Sequence, residues 1–231
     1  MTNIMLEGDF MPASSSHETP FRTLTLAGSE QPDADHWLSH WEREREDCHR
    51  LNLGVWDRPH RNSWITAIDH AVRQSDRPVI LVARGLACLA VAWWASFEKP
   101  AYGKPVAGAL LVAPPNVDVA SPDLRLIGFG PAPKALLPFP SAVVASRNDP
   151  RMDFGGAHAL AGFWGSRCFD GGAIGSASGV ADLGAWADGA AILDWVIDEA
   201  ARAAGNIPPR AEELASLLPV PALPSTADLS L

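Results

Sequence analysis

Ile80-Leu-Val-Ala-Arg-Gly-Leu-Ala-Cys-Leu-Ala-Val-Ala-Trp-Trp94 decides the fold of this chain. Val79 to Val82 is a short β-branched run and reads as a buried strand. Leu86 to Ala95 is rich in helix formers. Between them lies a tight turn with small residues two before and two after its centre, Ala83-x-Gly85-x-Ala87. A nucleophile elbow requires that spacing, because strand and helix pack too closely there for larger side chains. A working elbow carries Ser, Cys or Asp at its centre. Here the centre is Gly85, which has no side chain with which to attack.

Elements alternate outward from this turn. Phe21 to Leu26 reads as a first strand, followed by the turn Ala27-Gly28-Ser29. Asp33 or Asp35 can cap a helix through about Glu46. Cys48 to Val55 reads as a second strand. Asn62-Ser63 can cap a helix to about Gln74, with Trp64, Ile65, Ile68 and Val72 at helical spacing. Further strands are expected at Val106 to Val112, Ser141 to Ala145 and Arg167 to Phe169. The stretch from Val117 to Leu137 reads as an irregular excursion. Helices are expected at Ala157 to Trp164 and Asp188 to Ala204. Strands alternating with helices imply βαβ units and a mostly parallel central sheet flanked by helices, an α/β fold. Ligands in such sheets lie at the carboxyl ends of strands, so the turns after Leu26, Val82, Val112, Ala145 and Phe169 should line a site.

The 231 residues suit one domain over 20–205, with a disordered segment at 1–19 and a Pro-rich tail at 206–231. An apolar content of 47% supports a sizeable core. The net charge of −9, with no offsetting Lys/Arg cluster, argues against a nucleic-acid partner. No stretch approaches the ~20 apolar residues of a membrane span, and residues 1–19 lack the pattern of a signal peptide. Three widely spaced cysteines, Cys48, Cys88 and Cys168, suggest a reducing compartment rather than a disulfide framework. The expectation is a cytoplasmic protein with no membrane partner and no cofactor.

Several separate features carry a family likeness: Leu26-Ala-Gly28, Asp35-His-Trp37 with Trp41, Trp56-Asp-Arg-Pro59, Trp64, Leu81-Val-Ala-x-x-Leu86 with Cys88, Pro138-Phe-Pro-Ser141, Ser146-x-x-Asp-Pro150, Ser178-Gly179 and Trp186. On these the chain resembles the YdeN-like serine hydrolases over about residues 21–204. That resemblance implies a small α/β-hydrolase fold and an ancestry in ester or amide hydrolysis by Ser, Asp and His. The departures fall on the chemistry. Where the family reads His-Ser-Leu-Gly, this chain reads Arg84-Gly85-Leu86-Ala87. Where the family has Gly-His-Ile-Asn ahead of its Ser-Gly, this chain has Gly172-Ala173-Ile174-Gly175. Asp149 stands at the retained acid position, Gly85 at that of the nucleophile and Ala173 at that of the base. The family's Pro before Gly28 is Ala27, and a family Ser in that loop aligns with Pro32.

A count of histidines agrees without the resemblance. Triad order on this fold is nucleophile, acid, then His. Of the seven histidines only His158 follows Asp149, and it falls within the next expected helix.

The retained positions admit two readings each. Gly85 either relaxes a strained turn after loss of function or opens room for a ligand against backbone N–H groups. The Leu86 amide should still point into the pocket, half of an oxyanion hole. Arg84 either grips a carboxylate or phosphate or pairs with Asp149 or a nearby acid. Asp149 can serve simply as a loop acid accepting backbone hydrogen bonds. Gly28 and Ser29 would line the ligand site. Cys88 sits at a helix start, but its phase points into the core. His36 and His40 are spaced i, i+4 as a metal pair would be, with no third ligand at a clear spacing. Ser176 and Ser178 have no His to activate them. Two functions remain open. One is a pseudoenzyme binding an acyl-type small-molecule ligand or a partner protein. The other is a reassigned enzyme using Arg84, Asp149 and backbone amides, or a residual hydrolase.

Overall fold

A computed structural model describes residues 20–28, 30–177 and 183–205. The expectations for 1–19, Ser29, Ser178-Gly179 and 206–231 lie outside these residues. Six strands form one parallel sheet: β1 (Arg22–Ala27), β2 (Cys48–Arg50), β3 (Val79–Arg84), β4 (Val106–Val112), β5 (Ser141–Ala145) and β6 (Arg167–Asp170). Their spatial order is β2-β1-β3-β4-β5-β6. Five helices connect them: α1 (Trp37–Glu44), α2 (Arg61–Gln74), α3 (Leu86–Glu98), α4 (Phe154–Trp164) and α5 (Ala187–Ala204).

The sheet is covered on both faces, which is why β3 and β4 read as unbroken apolar runs rather than alternating ones. Strand parity sorts their side chains. Val79, Leu81 and Ala83 join the core built with α2, α3 and α4. Ile80 and Val82 join the core built with α1 and α5. Burying each such Val, Leu or Ile contributes about 1.5–3 kcal/mol relative to exposure. The excursion between β4 and β5 carries only a 3₁₀ turn, Ile127–Phe129, whose Phe129 is fully buried against Trp64.

Three local expectations need correction. His36, not Asp33 or Asp35, caps α1: its Nδ1 accepts the Leu38 N–H at 3.1 Å. Asp33 is already occupied by the Asp35 N–H. α2 starts at Arg61, after His60, so Asn62-Ser63 lies inside it. The second strand ends at Arg50 instead of Val55, because only Cys48 to Arg50 register with β1.

The chain passes from β1 outward to β2, then crosses back over β1 to β3. The direction of winding therefore reverses between β1 and β3. In open α/β sheets a crevice forms at such a reversal, beyond the carboxyl ends of the strands. The ends are level there: Ala27 registers with Arg84, and Arg84 with Val112.

Candidate functional site

Gly85 occupies this crevice with φ 60° and ψ −128°. That conformation is costly for any residue with a Cβ, by about 1–3 kcal/mol. Two backbone bonds hold it: the Gly85 N–H donates to the Val112 carbonyl at 2.8 Å, and the Gly85 carbonyl accepts from the Cys88 N–H at 3.0 Å. Ala83 and Ala87 are fully buried on either side, as the elbow spacing requires. The Cys88 thiol donates to the Ala83 carbonyl at 3.3 Å, and burial pushes its pKa up, so it stays a structural thiol.

The loop after β1 lies directly on this turn. A Cβ at Gly28 would fall 2.2 Å from the Arg84 carbonyl oxygen, 2.4 Å from Ala87 N and 2.5 Å from Leu86 N. Gly28 is thus demanded by the close approach of two backbones. The structure brings Gly28, Arg84, Gly85 and Leu86 together.

Arg84 follows the parity of Ile80 and Val82, toward α1. It is fully buried. Its Nη2 meets Glu30 Oε1 at 3.3 Å, and its Nη1 donates to the Ser176 carbonyl at 3.3 Å. Burial lowers its pKa, and the Glu30 charge opposes that shift. The acid partner is therefore Glu30, and no ion pair joins Arg84 to Asp149.

Asp149 stands in the turn after β5. Its Oδ1 accepts the Arg151 N–H at 2.9 Å, an Asx-type turn. Its Oδ2 is buried and has no hydrogen-bond partner. Burial raises the pKa of this carboxyl, while the Arg151 N–H and the Arg151 and Arg84 charges pull it down.

Ala173 is exposed in the loop after β6. That loop is stitched to the Asp149 loop: the Arg147 N–H donates to the Gly172 carbonyl at 2.8 Å, and the Gly175 N–H to Asn148 Oδ1 at 2.7 Å. His158 lies in α4, the helix expected after Asp149, and is exposed.

His36 is buried, and its pKa falls to about 4, first through burial and then through the Arg84 charge. It is a helix cap. His40 interacts with Arg43, and among the described residues no group of three or more His, Cys, Asp or Glu could hold a metal ion.

Glu30 and Arg151 escaped the sequence reading. Glu30 meets Arg84 across 54 positions, and no local spacing announces such a pair. Arg151 had one available signal, its place two residues past the acid position.

A reversal of winding over a strand–Gly–helix turn, in a parallel sheet covered on both faces, defines an α/β hydrolase fold. The serine hydrolase family model matches residues 23–195, and the chain belongs to that family. Among solved structures, the protein crystallised as a YdeN-like hydrolase from Pectobacterium atrosepticum is 27% identical, with a TM-score of 0.68. That match covers 78% of this chain and 92% of the other. The ydeN gene product of B. subtilis is 19% identical with a TM-score of 0.55, over 68% and 88% of the two chains. Est1E from Butyrivibrio proteoclasticus shares the fold at 10% identity and a TM-score of 0.54, over 81% and 91%. A search of curated proteins finds no match. No described helix is long and apolar enough to cross a membrane.

Proposed function

We propose that this protein is a non-hydrolytic member of the serine hydrolase family, a pseudoenzyme that binds a small acyl-type ligand over its elbow. One observation carries the reading. The turn at Gly85 keeps an elbow geometry, φ 60° and ψ −128°, and offers no nucleophilic atom. The family's base position, by resemblance, is Ala173, and Asp149 alone remains of the triad. Loss of a triad member lowers kcat on the order of 10⁴-fold. The Leu86 amide at the helix start remains to meet an acyl oxygen.

A reassigned enzyme would need Arg84 to converge on Asp149. Arg84 is instead engaged by Glu30 and the Ser176 carbonyl, which favours binding over catalysis.

The purified protein is expected to resist a serine-directed fluorophosphonate probe. Stoichiometric labelling of any Ser, mapped by peptide mass spectrometry, would end this reading. Gly85→Ser alone should give little activity on short p-nitrophenyl esters, since no base activates it. Gly85→Ser with Ala173→His should give more, because triad members act as a unit. Equal activity of the single and double variants would show that Ala173 is not the base position.

A further inference from the structure

Six charged side chains at strand ends and on the loops that follow them act on one another, and they do not pair off evenly. Arg84 is taken by Glu30 at 3.3 Å. Arg125 is taken by Asp123, Nε to Oδ1 and Nη2 to Oδ2, both at 2.7 Å. Arg151 and Asp149 remain. They touch through the Arg151 backbone N–H, not through the guanidinium. No carboxylate among the described residues lies within 4.0 Å of that guanidinium.

The group spans four segments: the loop after β1, the elbow, the excursion after β4 and the loop after β5. Arg151 acts on Arg84 and Asp149, and on Asp123, which Arg125 chiefly holds low. Glu30 acts on both Arg84 and Arg125. Only one cation and one anion of this group are left for a ligand. At Met152, the residue after Arg151, opens a cleft of about 180 Å³ lined by Ala132, Met152, Leu160 and Phe163, with the Asp118–Lys134 ion pair also in its lining.

We propose that the site takes a free α-amino acid with an apolar side chain. Its carboxylate meets the Arg151 guanidinium, its ammonium meets Asp149 Oδ2, and its side chain enters the cleft at Met152.

A planar guanidinium matches a carboxylate with two parallel bonds. A buried carboxylate oxygen without a donor carries a desolvation cost that an ammonium removes. A zwitterion complements the remaining +1 and −1 charges. A dianion such as phosphate would instead stand beside Asp149 and be repelled. This proposal rests on the reading of the elbow as a binding site and names what it binds.

The test is calorimetric titration of the full chain with L-leucine, N-acetyl-L-leucine and L-leucine methyl ester. The acetyl derivative lacks the ammonium, and the ester lacks the carboxylate. L-leucine is expected to bind, with each derivative weaker by roughly tenfold or more. Arg151→Gln should abolish the preference for leucine over its ester and leave the preference over the acetyl derivative. Asp149→Asn should do the reverse. Arg151→Lys, which keeps the charge and loses the fork, should fall between wild type and Arg151→Gln. Equal affinity for all three compounds, or no binding of L-leucine at millimolar concentration, would overturn the proposal. A protein that ignores leucine yet resists the fluorophosphonate loses only this inference. A labelled protein loses the non-hydrolytic reading as well.

Discussion

Gly28 and Gly85 do different work within one contact. Gly85 permits a backbone angle, whereas Gly28 permits two backbones to meet. Gly28→Ala would place a Cβ 2.2 Å from the Arg84 carbonyl oxygen. The opposing atoms are main chain and cannot swing aside. Overpacking of this kind costs about 1–3 kcal/mol, so the variant should melt several degrees lower in a thermal denaturation scan. An unchanged melting temperature would mean that the loop after β1 does not rest on the elbow.

His36 makes a second prediction at this scale. Its pKa is about 4 in the folded protein, against an ordinary 6.5. The unfolded chain therefore binds the extra proton first. Stability from neutral His36 is complete above pH 6.5 and lost as the pH falls toward 4. The loss totals about 3 kcal/mol across that window. His36→Asn keeps an acceptor suited to an N-cap and removes the titration. Denaturant midpoints of the variant should vary less between pH 7 and pH 4 than those of the wild type. Parallel curves would assign the acid sensitivity elsewhere.

Among the elements, the two loops flanking the elbow are joined through Arg84. The loop after β1 supplies Glu30, and the loop after β6 supplies the Ser176 carbonyl. A double-mutant cycle of Arg84→Met and Glu30→Gln should show coupling. Glu30 is more than half exposed, so solvent screening limits the coupling to about 1 kcal/mol. Arg84→Met with Asp149→Asn should be close to additive, since no bond joins them. The opposite pattern would place the Arg84 guanidinium against the acid loop.

Sequence legibility follows the same division between local and distant causes. β4 reads in the sequence as an apolar run ended by Pro114-Pro115, and the strand spans Val106–Val112 as read. The elbow was legible because small residues at fixed offsets have a steric reason. β2 was read too long because Leu51, Leu53 and Val55 alternate like a strand. Leu51 does donate its N–H to the Thr25 carbonyl, but pairing ends there. The caps were misassigned because Asp33 satisfies a neighbour before it can reach the helix. At the site, Gly85 and Asp149 were visible as departures from, and agreement with, a pattern. Glu30 was not, because long-range charge pairing leaves no periodic trace in the chain, and Arg151 was marked only by its place two residues past Asp149.

For the molecule as a whole, the strand order sets where function can lie. The reversal between β1 and β3 brings Gly28, Glu30, Arg84 and Gly85 to one place. The excursion after β4 and the loop after β5 add Arg125 and Arg151, which exchange electrostatic influence with Glu30 and Arg84. The two cores are built from apolar side chains on both faces of the sheet, and of these six charged side chains Arg84 is the one that is fully buried. The charged residues around the crevice other than Arg84 should prove more tolerant of coordinated change than Gly28 or the alanines beside the elbow.

Trp37, Trp41 and Trp186 pack as a triple of indoles, with Trp37 4.7 Å from Trp41 and 4.9 Å from Trp186. Trp41 and Trp186 lie nearly parallel at 6.0 Å. Trp37 Nε1 donates to the Ala177 carbonyl, one residue beyond the carbonyl that Arg84 holds. Chromophores this close share their excited states, and the shared states are sensitive to small changes in ring angle. The chain thus carries an intrinsic optical gauge of its own crevice. Near-ultraviolet circular dichroism of the unlabelled protein should register any ligand that moves the loop after β6, before its identity is known.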